Sequence, residues 1–199
     1  MLPTYLPHFL DEEAATGDEP IFFGGINVYL QHKFSIFRKT PSWVDKALDN
    51  KWLLRKAAAR SGMTSSQDLG EITISTFRGE NGPLAKEVKK VVQWFKTHGV
   101  PDIILLSTIM LAGIGKVLKR ELKVPVLGFL QGEDSFLDSL LPKYRLEAWR
   151  LLSADAKQLD GCIAPSTYFG NLMADRLNIH ARDVLHHPNG ITLEGFEPP

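Results

Sequence analysis

Apolar and polar positions follow two different rhythms along the chain. Between residues 20 and 100 the apolar residues recur mostly at helical spacing. Asn27 to Phe37 carries Val28, Leu30, Phe34 and Phe37. Pro41-Ser42 opens another predicted helix with Trp43, Ala47 and Leu48 inward, and Trp52, Leu53 and Leu54 continue its apolar face. Thr64-Ser65-Ser66-Gln67 has capping-box spacing, in which the Thr hydroxyl takes a free backbone N–H and Gln67 reaches back. Asn81-Gly82-Pro83 breaks that helix. Leu84, Val88, Val91, Val92 and Phe95 then mark one face of the next, which Gly99 and Pro101 end.

From Pro101 the rhythm becomes strand, turn, helix. Asp102 to Leu106 is a continuous apolar run of the kind a strand buried on both faces requires. Ser107-Thr108 can cap a helix running to about Leu122. Val124 to Leu130 predicts a second buried strand, with Gln131 to Ser135 as its polar exit. Helices are expected at 135–140 and 142–157, a third strand at Asp160 to Ala164, a helix capped by Ser166, and a fourth strand at 184–187. Apolar strands alternating with helices imply parallel βαβ units: an α/β, Rossmann-like, doubly wound sheet, with a helical insertion at about 26–82 in its N-terminal half.

Composition narrows the class. The 199 residues, 44% hydrophobic and 23% charged, suit one large globular domain or a domain plus linker. Lys+Arg and Asp+Glu are 23 each, a zero balance that gives no support for nucleic-acid binding. The single cysteine, Cys162, excludes an intramolecular disulfide framework and sits in an apolar run that predicts packing. No apolar segment is long enough to span a bilayer and no signal-peptide pattern is present, so the default location is cytoplasmic.

In open parallel sheets, ligands bind outside the carboxyl ends of the strands. Here those ends are Pro3-Thr4-Tyr5, Ser107-Thr108, Gln131-Gly132-Glu133-Asp134, Pro165-Ser166-Thr167 and Asn189-Gly190. Gln131 to Asp134 is the richest of them. A glycine lets the backbone turn, and an amide and two carboxylates can hold sugar hydroxyls or accept a proton. A solvated helix start, where acidic side chains suit the dipole, accounts for the same residues.

Phe22-Phe23-Gly24-Gly25-Ile26-Asn27 is the next candidate: paired glycines before a helix can approach a phosphate, although a tight turn explains them equally. His186 and His187 alternate faces of a strand and cannot chelate as neighbours. His32, His98, His180 and the four tryptophans read as packing or solvated residues, and no metal site is expected.

The order of three segments resembles the N-terminal half of a family 4 glycosyltransferase of the GT-B fold. Pro101 to Ser107 stands where the family reads roughly PDVVHLS. Val124-Pro125-Val126 through Gln131-Gly132-Glu133-Asp134 stands where it has a VPVV strand leading to HG. Asp160 to Ser166, then Pro188-Asn189-Gly190-Ile191 and Phe196-Glu197-Pro198, match AD-V-A-S followed by PNGID and F-P. The likeness covers roughly residues 84–199.

It implies an enzyme that moves a sugar from a nucleotide-sugar to a carbohydrate or lipid-linked acceptor, with retention and without metal or other cofactor. The acceptor would bind this domain, at Gln131, Gly132, Glu133, Asp134, Ser107, Thr108 and Ser166. Asn189-Gly190 would be the hinge before a C-terminal donor domain, and the location cytoplasmic or peripheral at the inner face of the membrane. Gln131 stands where many members carry a sugar-contacting His, and an amide can still donate a hydrogen bond.

On this likeness residues 1–187 form an incomplete N-terminal domain and 188–199 a linker, although the Pro-rich tail also fits an ordinary ragged terminus. The first strand with its glycine loop, and the whole donor domain, are expected to be missing. The chain alone is then expected to be inactive, and a bare sheet flank would favour self-association. The competing class is a non-enzymatic α/β binding or interaction module. A hydrolase using Glu133 or Asp134 lacks a nucleophile–base pair.

Overall fold

The computed structural model describes residues 66–190. Expectations for residues 1–65 and 191–199 lie outside the described residues. These include the candidates Thr4-Tyr5 and Gly24-Gly25, most of the 26–82 insertion, Trp43, Trp52, His32 and most of the linker.

The described chain is a mixed α/β, Rossmann-like arrangement. Helix α1 (Ser66–Phe77) is followed by a 3-10 turn at Gly79–Asn81 and helix α2 (Ala85–His98). Strand β1 (Ile104–Leu106) leads through a 3-10 turn into α3 (Ala112–Leu122), and β2 (Val126–Phe129) leads into α4 (Glu133–Ser139) and α5 (Pro142–Ala156). Strand β3 (Gly161–Ala164), α6 (Thr167–Leu177) and β4 (Val184–His186) complete it.

Local chemistry sets the boundaries. Asn81-Gly82-Pro83 does separate α1 from α2, and Gly99 (φ +124°) ends α2. The Thr108 hydroxyl accepts from the Met110 N–H and the Ser166 hydroxyl from the Phe169 N–H, the two caps expected for the helices that follow β1 and β3. The capping box expected at Thr64–Gln67 begins outside the described residues; within α1 the Gln67 amide donates to Glu71, one turn on, at 3.1 Å.

All four strands are parallel, in the order β1-β2-β3-β4. Right-handed crossovers advancing in one direction place their helices on one face. The packing agrees. A Cβ on Gly115 of α3 would touch Leu106 and Val126, and one on Gly170 of α6 would touch Ala164 and Val184. The strand register puts these contacts on the same side of the sheet. That side, with Ile104, Leu106, Val126, Cys162 and Ala164, is buried against the core residues Ile109, Val117, Leu118 and Met173.

The opposite side is different. Leu105 and Leu185 remain 51% and 57% exposed. The apolar run at β1 is therefore not buried on both faces: among the described residues the helices that pack on the strands do so from one side.

The helical layer is close-packed. Gly113 of α3 lies so near α1 that an added Cβ would stand 2.3 Å from the Phe77 carbonyl oxygen. Lys116 of α3 donates to the buried Asp155 of α5 at 2.5 Å. Burial raises the Asp155 carboxyl above its ordinary range, and the ammonium partly opposes that. Cys162 is packed, as expected, and 1% exposed.

One-sided burial gives a direct test in urea unfolding. Leu106→Ala is expected to cost about 3 kcal/mol, and its neighbour Leu105→Ala less than about 1 kcal/mol. Equal losses at both positions would contradict it.

Candidate functional site

Because the strands are parallel, their carboxyl ends share one edge. The exits of β1 and β2 meet there through Glu133. This residue is the first of α4, yet it is only 5% exposed. One carboxylate oxygen accepts from the Thr108 hydroxyl at 2.6 Å, and the other from the Gln131 N–H at 2.7 Å. Gly132, between Gln131 and Glu133, has φ +93°, a left-handed conformation that disfavours any side chain. The segment 131–133 thus folds its own carboxylate back under the loop.

The predicted residues separate into distinct roles. Thr108 and Glu133 are brought together, but they are engaged with each other. Glu133 does not project to solvent as a ligand group, because its two oxygens satisfy the strand exits. Gln131 and Gly132 are exposed on the loop. Asp134 is half-buried, with no hydrogen bond or ion pair among the described residues, and is the free carboxylate of the group. Ser107 is exposed at the end of β1.

Ser166 caps α6 and lines a separate small cavity of about 120 Å³, with Thr167, Asn171 and His186. Asn189 and Gly190 follow β4 in exposed, irregular chain. His186 is on the helix side of the sheet and the His187 N–H pairs with the Ala164 carbonyl, so the two imidazoles do not form one ligand pair.

One feature at this edge has no counterpart among the sequence candidates. A groove of about 220 Å³ runs from Leu69, Ile72, Thr73 and Thr76 of α1 to Met110 and Phe136, and Thr108 lies in its wall. Its sequence signal is the spacing 69, 72, 73, 76, one stripe of α1.

Among the described residues no group of three or more His, Cys, Asp or Glu is placed to hold a metal ion, and no helix is long and apolar enough to cross a membrane. Burial pushes the Cys162 thiol up to about 12, helped by the negative charges of Glu133 and Asp183. It is a packing group, not a nucleophile. Against known proteins, no family model, no curated protein and no solved structure matches the chain.

Two outcomes follow. Thr108→Val or Glu133→Gln leaves a buried polar group without its partner and is expected to lower stability by about 2 kcal/mol. Asp134→Asn should change it by less than about 0.5 kcal/mol. Equal effects at 133 and 134 in denaturant titrations would refute the division of roles.

Cys162 gives a pH dependence. Its thiol is neutral in the fold up to about pH 12 but ionises earlier in the unfolded chain. Its contribution is fully present below the ordinary thiol range and is lost as pH rises towards about 12. Relative to Cys162→Ala, stability should fall by about 1.4 kcal/mol per pH unit in that window. A flat difference would show that the thiol is not buried.

Proposed function

We propose that this chain is the acceptor-binding part of a retaining glycosyltransferase that uses a nucleotide-sugar donor. The carrying observation is the β2 exit. An exposed amide (Gln131) and an exposed glycine backbone (Gly132) on the turn, and an unpaired carboxylate (Asp134) in the first turn of α4, follow one another at an exit that the buried Glu133 holds in shape. Such a set suits sugar hydroxyls, which both donate and accept hydrogen bonds. The segment order from Pro101 to Ser166, with its resemblance to family 4, supports the same reading and supplies the reaction class.

In this reading Gln131 donates to an acceptor hydroxyl and Asp134 accepts from one, which orients the attacking oxygen. Thr108 and Glu133 act through the loop as positioning residues. Asn189-Gly190 would be the hinge to a donor-binding part, and Ser166, in its separate small cavity, lies apart from this acceptor loop. Positioned hydrogen bonds, without metal, would supply the charge stabilisation. The site of action would be cytoplasmic or at the inner membrane face.

A second reading, a non-enzymatic binding module, is favoured by one observation. With Glu133 occupied, Asp134 is the only unpaired carboxylate of the predicted pair.

The test is amide NMR of the chain titrated with a panel of disaccharides and with a nucleotide-sugar. Binding should shift Gln131, Gly132 and Asp134, and Asp134→Asn or Gln131→Ala should weaken it about tenfold. Absence of any response at these amides, or undiminished binding by both variants, would remove the glycosyl-acceptor reading.

A further inference from the structure

We infer that the bare face of the sheet is a docking surface for the chain's own N-terminal segment, with residues 27–54 packed on it as a second helical layer. The inference is independent of the glycosyl reading.

Alternation along the strands puts Leu105, Leu127, Phe129, Ile163 and Leu185 on the side away from the helices. The register joins them into one patch: Leu105 pairs with Leu127, Phe129 with Ile163, and Ile163 with Leu185. Leu105 and Leu185 are more than half exposed and the other three are half-buried. Parallel sheets occur almost only with both faces covered, and a contiguous apolar patch marks an interface.

The occupant follows from what the rest of the chain supplies. Ahead of α1 stand 65 residues. They carry the two apolar stripes at helical spacing, Leu30-Phe34-Phe37 and Trp43-Ala47 with Leu48-Trp52. The nine residues after Gly190 hold three large apolar side chains, Ile191, Leu193 and Phe196, too few to cover the patch.

The dimensions agree. Packed helices lie about 8–10 Å apart and paired strands about 4.8 Å apart, so two helices side by side cover four strands. Residues 55–65 can span up to about 36 Å when extended, enough to lead from the start of α1 round the sheet to its other face. A tethered segment also acts at an effective concentration of about 1 mM, which favours it over a second copy at micromolar protein.

The test uses the full chain with labelled Ile, Leu and Met methyls. The Leu105, Ile163 and Leu185 methyls should show NOEs to the rings of Phe34, Trp43 and Trp52, and should be shielded from a soluble gadolinium chelate. Such a layer opens ahead of the core, so a charge on the face releases it without unfolding residues 66–190. Leu105→Glu or Leu185→Glu should therefore speed tryptic cleavage at Lys46 and Lys51 about tenfold and leave the amide spectrum of 66–190 in place. Leu146→Glu, at an exposed position of α5, should leave cleavage unchanged.

NOEs found only between copies, in a sample mixing methyl-labelled with ring-labelled chains, would assign the face to a second copy and overturn the inference. Contacts of Trp43 and Trp52 with the groove methyls of Ile72, Met110 and Ile114 in place of the sheet would also overturn it, as would face methyls fully open to the chelate.

Discussion

A buried carboxylate organises the functional edge of this protein. Glu133 opens a helix, where an acidic side chain ordinarily faces water, yet it lies within the protein. Taking a charge out of water is costly unless hydrogen bonds replace the lost solvent. Here the Thr108 hydroxyl and the Gln131 N–H do so, at 2.6 and 2.7 Å. They arrive from the exits of two neighbouring strands. The same pair of bonds therefore compensates the buried charge, joins β1 to β2 beyond their ladder, and curls the loop through the left-handed Gly132. What stays outside, Gln131 and Asp134, is what can meet a ligand.

The fold explains why these exits are neighbours. Parallel strands laid down in order, each joined to the next by a right-handed crossover, bring every carboxyl end to one edge and the crossover helices to one face. The helical layer is fixed by close contacts such as Gly113 against Phe77 and by the Lys116–Asp155 pair. Helix α1 packs on α5 and α3 within that layer, and its outer stripe becomes one wall of the groove. Groove and loop thus share a boundary at Thr108.

Much of this was legible in the sequence, and the reasons are local. Strand–turn–helix order, the caps at Thr108 and Ser166, the stop at Gly99 and the packing of Cys162 each depend on a few adjacent residues. Glu133 was legible as part of a polar exit but not as its internal support. Its partner Thr108 lies 25 positions away, and spacing cannot show that two exits meet. Leu105 misled for a related reason. A continuous apolar run says that a strand can be buried on both sides, not that both sides are covered. The groove was missed because its two walls, α1 and the Met110–Phe136 side, come from distant segments.

The central claim is that Glu133 holds the β2 exit as a fixed, preformed loop. Hydrogen exchange of the Gln131 amide measures this directly, since that N–H is bonded to a buried carboxylate while the residue itself is exposed. The account predicts exchange slowed at least about a hundredfold relative to an open loop amide, with the protection lost in Thr108→Val. Exchange of Gln131 at the rate of an unprotected loop would mean that the clasp is not formed in solution, and the site built on it would fall.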